Sequence, residues 1–502
     1  MAHFLAAVNT RQGVAVRNQV QLITYPDSLG GNLRALLQVL DRHFPGLFPG
    51  GVHILPPFPS SGDRGFAPLT YLEISPQFGS WEDIQRIGER SAVMLDLMVN
   101  HVSRRSPWFQ DFLEKGRRSS FADLFVTLEK LWPDGKPSKD DLSRIFLRRP
   151  SPFSRFTIEE SGKEETVWTT FGEQDPSEQI DMDWTSEVYR KLLTDFMAKF
   201  SGNGVRMVRL DAVGYVVKKV GTSCFFVEPE IFRFLDWIRG LADSFGIELL
   251  PELHAPLATQ RDLSAHGYWI YDFILPYTIL EALLLRKSGK LKAYLATRLH
   301  GQFTMLDCHD GIPVKPDLNG LYESEDAREV VRTCVGRGAG LSRVISTEHK
   351  DPDGFDVHQI LCSYYSALSS NDDAYLSARA IQFFAPGIPQ VYYTGLLAGE
   401  NDSEAVRRTG EGREINRHNY GLEEIAARVR TEVVQRLVRL IRFRNEYAAF
   451  GGEFRVLESD DSTILLRWQK SEKACTLTVN LRTGRSEVEC SDDAGAAARW
   501  RT

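Results

Sequence analysis

The segment VRMVRLDAVG (205–214) is a short, largely apolar run that carries Arg209 and Asp211 in its second half. Seven further runs of this kind occur along the chain: QLITY (21–25), VHILP (52–56), AVMLDLMVN (92–100), IELLPEL (247–253), WIYDFILP (269–276), FTMLDCHD (303–310) and IPQVYY (388–393). Helical patterns such as LRALLQVLDRHF and EVYRKLLTDFMAKF lie between them. Eight apolar runs that alternate with helices predict an α/β fold, a parallel (β/α)8 TIM barrel.

Two polar intervals interrupt this alternation, one after His101 and one after Asp310, and both are too long for simple loops. After Phe450 the segments FRVLESDDSTILLRWQ and ACTLTVNLR alternate with period two, which is typical of antiparallel strands. We therefore predict a catalytic barrel, domain A, with an inserted domain B, an inserted domain B′ and a small C-terminal antiparallel β domain. The predicted ranges are 1–100, 186–308 and 371–449 for the barrel, 101–185 for domain B, 309–370 for domain B′ and 450–502 for the C-terminal domain.

The composition limits the partners of the chain. Its 502 residues include 25% charged residues and carry a net charge of -7, so no basic field is available for nucleic acid. The six cysteines are scattered without zinc or disulfide spacing, which favours a reducing compartment. We find no signal peptide and no run of the ~20 apolar residues that a membrane span needs. These features predict a cytoplasmic protein without a membrane partner, and roughly the first seventeen residues are interpreted as a loose tail.

Polar side chains follow four of the predicted strands at their carboxyl ends, the edge at which a parallel barrel carries its active site. They are Asp96, Asn100 and His101 towards the end of the third run, Arg209 and Asp211 in the fourth, Glu252 and His254 at the end of the fifth, and His309 and Asp310 at the end of the seventh. A single acid in such a place is more often a cap or turn residue than a catalyst. Four strand ends with acids and histidines in order indicate a site.

The spacing of these residues favours glycosyl transfer with two carboxylates. Arg209 and Asp211 are two apart on a strand, so their side chains share a face and the guanidinium can keep Asp211 ionised as a nucleophile. Glu252 comes from the next strand end and is placed to be a proton donor. Carboxylates about 5 to 5.5 Å apart give retention through a covalent glycosyl-enzyme.

Further strand-end residues have auxiliary roles in this interpretation. Asp310 would stabilise an oxocarbenium-like transition state, and His101 and His309 would bind sugar hydroxyls. Spacing alone does not identify the substrate.

Four of these segments, DLMVNH (96–101), VRLDAVG (208–214), PELH (251–254) and LDCHD (306–310), resemble the ordered motifs of the α-amylase family, glycoside hydrolase family 13. QLITYPDSLGGNL, GVHILPPFPSSGDRGF, FFAPGIPQVYY and GREINRHNY are similar to the sucrose phosphorylase branch in particular. The resemblance extends from Asn18 to the C-terminus. It implies a barrel with B and B′ insertions and a C-terminal β domain, in agreement with the interruptions above.

The resemblance also implies roles for individual residues. Asp211 would be the nucleophile, Glu252 the acid/base and Asp310 the stabiliser of the transition state. The residues implied around the glucosyl ring are Asp63, His101, Arg209, His309 and Arg413 as hydrogen-bond partners, Phe66 as an apolar platform, and Gln179, Tyr215 and His254 along the pocket. The branch uses no metal or organic cofactor, and its members are expected to be monomers or homodimers.

Two segments bear on which members of the branch this sequence resembles most. Asp356, Val357, His358 and Gln359 stand where sucrose phosphorylases carry a D-L-Y-Q type loop, and Arg148 and Arg149 precede Pro150 where they carry P-R-P. Arginine and histidine suit a phosphate monoester because they supply charge-assisted hydrogen bonds. Both forms resemble those of the branch members that act on sucrose 6F-phosphate. The implied substrates are a sugar phosphate and inorganic phosphate, and the implied products are α-D-glucose 1-phosphate and D-fructose 6-phosphate.

Three alternatives stay open at this stage. The acceptor could be plain fructose, glycerol or glycerate, as in sucrose, glucosylglycerol and glucosylglycerate phosphorylases. An amylase-like hydrolase would differ by turning over without inorganic phosphate. A non-catalytic carbohydrate-binding relative is disfavoured by the intact set of Asp211, Glu252 and Asp310.

Overall fold

The computed structural model describes residues 16–172, 178–297, 299, 301–345, 354–491 and 497–502. These residues divide into two units. The first comprises Ile54–Leu253 and residue Ile345, and the second comprises Val16–His53, His254–Val344 and the described residues from 354 onward. The predicted N-terminal tail lies almost entirely outside the described residues.

Three parallel strands lie side by side in the first unit in chain order: Val93–Met98, Val205–Asp211 and Glu248–Pro251. Val93–Met98 is buried throughout, as expected for an apolar strand covered on both faces. The strand register pairs Asp96 with Arg209 and Arg209 with Leu250. Because the strands are parallel, their carboxyl ends reach one edge, and Asp211 and Glu252 both follow at that edge.

The helices of the first unit are amphipathic and several carry side-chain caps. Ser186 begins the helix Glu187–Gly202 by accepting a hydrogen bond from the Val188 amide at 3.2 Å. The helices of this unit are Trp81–Gly88, Pro107–Lys115, Leu128–Leu131, Lys139–Arg144, Glu187–Gly202 and Glu230–Ser244, with 3-10 turns at Asp63–Gly65, Gly116–Arg118, Ala122–Leu124 and Val213–Tyr215. Between the strands Val93–Met98 and Val205–Asp211 lie two small antiparallel pairs, His101–Ser103 with Gln179–Asp181 and Phe153–Thr157 with Glu164–Trp168.

Five parallel strands lie side by side in the second unit, in the order Ile270–Asp272, Gln302–Thr304, Ile388–Tyr392, Gln21–Thr24 and Gly51–Ile54. A second sheet contains Ile312–Pro313, Val357–Leu361 and Gly340–Arg343. The helices are Leu33–His43, Leu257–Ala265, Leu275–Leu285, Gly289–Thr297, Ser324–Gly336, Tyr364–Ala367, Asp372–Phe384, Tyr393–Leu396, Ser403–Thr409, Leu422–Arg428 and Glu432–Glu446, with 3-10 turns at Gly412–Asn416 and Ala448–Gly451.

The C-terminal strands form an antiparallel sheet in chain order: Glu453–Leu457, Thr463–Lys470, Lys473–Asn480, Arg485–Ser491 and Ala497–Arg501. In the strand Thr463–Lys470 the first six residues alternate between half-buried and buried, which is the period-two pattern found in the sequence, and the last two are exposed.

The strand orders of the two units are those of a barrel numbered along the chain. Strands three, four and five are neighbours in the first unit, and strands six, seven, eight, one and two are neighbours in the second. This cyclic order of parallel strands, each followed by helix or turn, confirms the predicted (β/α)8 fold with a C-terminal antiparallel β sheet. The predicted domain boundaries stay a prediction. Within the described ranges no helix is both long and apolar enough to cross a membrane.

Candidate active site

The guanidinium of Arg209 contacts three carboxylates in the first unit. Arg209 donates from Nη1 to Asp96 and, at 2.9 Å, to Asp211 Oδ1, and its Nη2 lies 3.7 Å from Glu252 Oε1. The Arg209 side chain is only 4% exposed, so its charge is poorly screened by water. The contact with Asp211 is the one predicted from their spacing on the strand. The sequence pattern did not predict that Asp96 and Glu252 would share the same arginine.

The backbone after Asp211 adds a further contact to Glu252. Ala212 has φ 54°, in the left-handed region that residues other than glycine seldom adopt. Its amide donates to Glu252 Oε2 at 3.2 Å. The turn therefore presents a hydrogen-bond donor to the carboxylate that follows the neighbouring strand, and backbone strain concentrated at such a point is common in active sites.

Phe66 and His101 lie beside this cluster. The Arg209 guanidinium carbon is 5.8 Å from the centre of the Phe66 ring, and His101 Nε2 lies 3.0 Å from the Phe66 carbonyl oxygen. Since a carbonyl only accepts, His101 donates from Nε2. Burial lowers the pKa of His101 and outweighs the nearby Asp181 carboxylate, so the imidazole is neutral at pH 7.

Three further residues of the first unit that the sequence assigned to the site are Asp63, Gln179 and Tyr215. Gln179 Nε2 approaches Asp63 Oδ2 at 3.5 Å, and strand pairing sets Gln179 opposite Ser103, two residues beyond His101. The Tyr215 ring packs with the aromatic rings of Phe146, Phe171 and Phe225. Phe171 also lies 5.3 Å from the His101 ring, so these side chains form one continuous set.

Arg148 and Arg149 are half-buried, which differs from the solvent-facing pair that adjacent loop arginines usually make. Arg149 Nη1 donates to Thr169 at 2.7 Å to Oγ1 and 3.2 Å to the carbonyl oxygen. This contact ties the Arg148–Arg149 segment to the end of a neighbouring strand.

The second unit contains a cluster around Asp310. Arg413 Nη1 lies 3.2 Å from Asp310 Oδ1, and His309 Nε2 lies 4.0 Å from Oδ2. Burial by itself would raise the pKa of Asp310, but Arg413, His309, His254 and Arg417 together hold it well below its usual range. Asp310 is therefore ionised throughout the physiological pH range.

The segment that carries Arg413 and Arg417 is anchored by a histidine with two acidic partners. His418 lies between two carboxylates, with Nδ1 2.8 Å from Asp402 Oδ2 and Nε2 3.1 Å from Glu424 Oε2. Partial burial alone would lower the pKa of His418, yet the two hydrogen bonds outweigh it and raise the pKa above 6.5.

This arrangement predicts a pH-dependent contribution to stability. Because the folded pKa of His418 exceeds the unfolded value of 6.5, its stabilising effect is complete below pH ~6.5 and is lost as pH rises through the folded pKa. We expect the Tm of the wild type to exceed that of His418→Gln by about 1 °C at pH 6, with a smaller difference at pH 9, since a half-exposed pair is partly screened. Differential scanning fluorimetry across this range measures the difference. A gap that widens towards pH 9 would contradict the assignment.

The segment predicted to bind phosphate is ordered by contacts within the second unit. His358 is buried and donates from Nδ1 to the backbone oxygen of Lys315. Gln359 Oε1 accepts from the Gly311 amide at 3.4 Å, and Asp356 forms an ion pair with Arg343. The His358 ring also lies close to His254, with ring centres 5.9 Å apart.

Several buried charged residues were not found from the sequence. In the first unit Lys218 Nζ lies 2.8 Å from Asp181 Oδ2 and donates to Asn100 Oδ1 at 2.8 Å. In the second unit Asp317 Oδ2 lies 3.0 Å from His254 Nδ1. Asp181, Lys218 and Asp317 lie outside the strand-end motifs, and their only sequence signal is a charge set among apolar neighbours.

Comparison with known proteins identifies the family. Residues 31–244 match the model of the α-amylase catalytic domain. The sucrose 6(F)-phosphate phosphorylase of Thermoanaerobacterium thermosaccharolyticum is 60% identical over 487 residues, which cover 97% of this chain and 100% of that protein. This chain belongs to the sucrose phosphorylase branch of the α-amylase family. The sucrose phosphorylase of Streptococcus mutans is 42% identical, with 91% of this chain and 93% of that protein covered.

A solved structure agrees with the assignment of fold and family. The crystal structure of sucrose 6F-phosphate phosphorylase from Thermoanaerobacter thermosaccharolyticum superposes with a TM-score of 0.96, covering 97% of this chain and 99% of that one at 60% identity. Membership in the branch makes the chain an enzyme, a glycosyltransferase of the disaccharide phosphorylase class.

Proposed function

We propose that this enzyme catalyses the phosphorolysis of sucrose 6F-phosphate. Sucrose 6F-phosphate and inorganic phosphate would give α-D-glucose 1-phosphate and D-fructose 6-phosphate, with retention at the anomeric carbon. The observation that carries the proposal is the 60% identity over almost the whole chain to a sucrose 6(F)-phosphate phosphorylase, against 42% to a sucrose phosphorylase.

The proposed mechanism is a double displacement. Asp211 attacks the anomeric carbon while Glu252 protonates the leaving glycosidic oxygen, which produces a glucosyl-Asp211 ester and releases fructose 6-phosphate. A phosphate oxygen then attacks the same carbon as Glu252 takes up the phosphate proton, and Asp211 leaves. Neither step requires a metal or an organic cofactor.

The contacts described above support this division of roles. The Arg209 guanidinium bonded to Asp211 favours the ionised nucleophile. The ionised Asp310 would stabilise positive charge that develops on the glucosyl ring. We propose that His101, His309, Asp63 and Arg413 bind its hydroxyls. The further pocket residues of the proposal are Phe66, Gln179, Tyr215 and His254.

For the 6-phosphate of the fructosyl group we propose Arg148 and His358 as the binding residues, with Arg149, Asp356 and Gln359 completing the subsite. His358 supports this because its Nδ1 is bound to the Lys315 oxygen, which directs Nε2 away from that carbonyl. The Arg149 contact with Thr169 holds the arginine segment in place. The cytoplasmic location and the monomeric or dimeric state stay predictions.

Substitution of the proposed phosphate ligands tests the substrate assignment. Arg148→Ala and His358→Ala should each weaken the use of sucrose 6F-phosphate by roughly tenfold to hundredfold relative to sucrose, because a charge-assisted hydrogen bond contributes about 1.5–3 kcal/mol. The reverse reaction, with glucose 1-phosphate as donor and either fructose 6-phosphate or fructose as acceptor, measures the effect without changing the donor.

Arg155→Ala is the matched control, because Arg155 is an exposed arginine of the same insertion. It should leave the ratio of the two acceptors unchanged. Equal losses for both acceptors in the Arg148 and His358 variants would remove the 6-phosphate proposal. Activity confined to sucrose, glucosylglycerol or glucosylglycerate, or release of glucose without phosphate, would then identify the alternative.

A further inference from the structure

The ring of His254 is held from two directions within the second unit. Its Nδ1 lies 3.0 Å from Asp317 Oδ2, and its face stacks on Phe273 with ring centres 4.0 Å apart and planes 18° apart. The Asp317 side chain is 0% exposed, so this contact is shielded from water. A carboxylate at the ring edge and an aromatic ring on its face leave the imidazole one orientation.

His254 is also close to two residues with proposed roles. One of its ring nitrogens and a carboxylate oxygen of Asp310 are within 4.8 Å of each other. Its ring meets the ring of His358 edge to face, with centres 5.9 Å apart. His254 therefore adjoins both the residue proposed to stabilise the glucosyl ring and the residue proposed to bind the sugar phosphate.

Residues 315–317 supply the hydrogen-bond acceptors for both His254 and His358. Asp317 accepts from His254 Nδ1, and two residues earlier the Lys315 oxygen accepts from His358 Nδ1. An acceptor at Nδ1 requires the proton to be on that nitrogen, so each ring can donate from Nε2 only when it is doubly protonated. The buried carboxylate at Asp317 favours that charged form for His254, whereas the neutral carbonyl at Lys315 does so less.

We propose that Asp317 is a positioning residue that holds His254 as a charged ring, with Nε2–H directed at the inorganic phosphate that attacks the glucosyl-enzyme. This inference rests on the proposed function. Asp317 acts through His254 and does not touch the substrate. Loss of Asp317 should therefore slow the attack of phosphate on the glucosyl-enzyme more than it slows the attack of water.

The test is the partition of the glucosyl-enzyme between phosphate and water. α-D-Glucosyl fluoride serves as donor, and the ratio of glucose 1-phosphate to glucose is measured at fixed phosphate concentrations. Because both products come from the same intermediate, the ratio is independent of the fraction of active enzyme. Asp317→Asn and His254→Gln should each lower the ratio by roughly tenfold to hundredfold. The double variant should be no lower than His254→Gln, since Asp317 acts only through that ring.

Glu281→Gln is the matched control, because Glu281 is another buried carboxylate of this unit with a cationic partner, Lys290 at 2.9 Å. It should keep the wild-type ratio. A wild-type ratio in Asp317→Asn, or an additive fall in the double variant, would overturn the positioning role. If Asp317→Asn does not fold, Asp317→Glu replaces it: a fall of the ratio is expected with His254 present, and a further fall in the His254→Gln background would overturn the role.

The same assay separates the two proposals. Failure of the wild type to make glucose 1-phosphate from glucosyl fluoride and phosphate would refute the proposed phosphorylase mechanism. Formation of glucose 1-phosphate with an unchanged ratio in Asp317→Asn would refute only the role of Asp317.

Discussion

Asp211→Asn is expected to lower phosphorolysis by on the order of 10⁴-fold or more, because an amide is too poor a nucleophile to form the glucosyl ester. The fold should persist, since Arg209 keeps Asp96 as a buried partner when the charge of Asp211 is removed. Glucose 1-phosphate release measures the loss, and mass spectrometry of the variant checks that the introduced amide has not reverted to a carboxylate by deamidation.

A matched control for this variant is Asp195→Asn, on the exposed face of the helix Glu187–Gly202. It should retain wild-type turnover. Mass spectrometry of a trapped glucosyl-enzyme should locate the sugar on Asp211. A label on another carboxylate, or an Asp211→Asn variant with more than a tenth of the wild-type rate, would contradict the role of Asp211.

Glu252→Gln is expected to lower turnover of a sugar donor by about 10²–10⁴-fold, the usual contribution of a positioned general acid. Glu252 first protonates the leaving group and later accepts the proton of the attacking phosphate. A donor whose leaving group departs without protonation does not need the first of these steps. With α-D-glucosyl fluoride this variant should therefore still release a burst of fluoride and accumulate the glucosyl-enzyme, because transfer to phosphate also needs Glu252 as base.

Glu248→Gln provides the comparison for Glu252. Glu248 begins the same strand, Glu248–Pro251, whose carboxyl end leads to Glu252, and it lies at the opposite edge of the parallel sheet. Its substitution should leave turnover close to wild type. If Glu252→Gln releases no burst of fluoride and forms the glucosyl-enzyme as slowly from α-D-glucosyl fluoride as from the sugar donor, this residue does something other than proton transfer.

The fold followed closely from the sequence because its signals are local. A short apolar run, a helix of period 3.6 and a strand of period two are properties of neighbouring residues, and no tertiary contact is needed to recognise them. The ion pair between Arg209 and Asp211 is of this kind, since two residues two apart on a strand must share a face.

The composition of the site depended on contacts that no local period encodes. Asp96 reaches Arg209 across 113 positions through the register of two parallel strands. Asp317 reaches His254 across 63 positions, and the His358 ring is fixed by a backbone oxygen, which no side-chain motif records.

The sequence by itself determined the barrel order, the strand ends that carry acids and histidines, and the family to which their motifs belong. Tertiary structure alone decided which charged side chains are in contact. It places Arg209 against Asp96, Asp211 and Glu252, and it surrounds Asp310 with basic side chains that keep its carboxylate ionised. The physical reason is that a charge loses its hydration when it is buried, and only an opposite charge or a hydrogen-bond partner in direct contact offsets that cost. Their partners are therefore set by strand register and loop path, which depend on the packing of the folded chain.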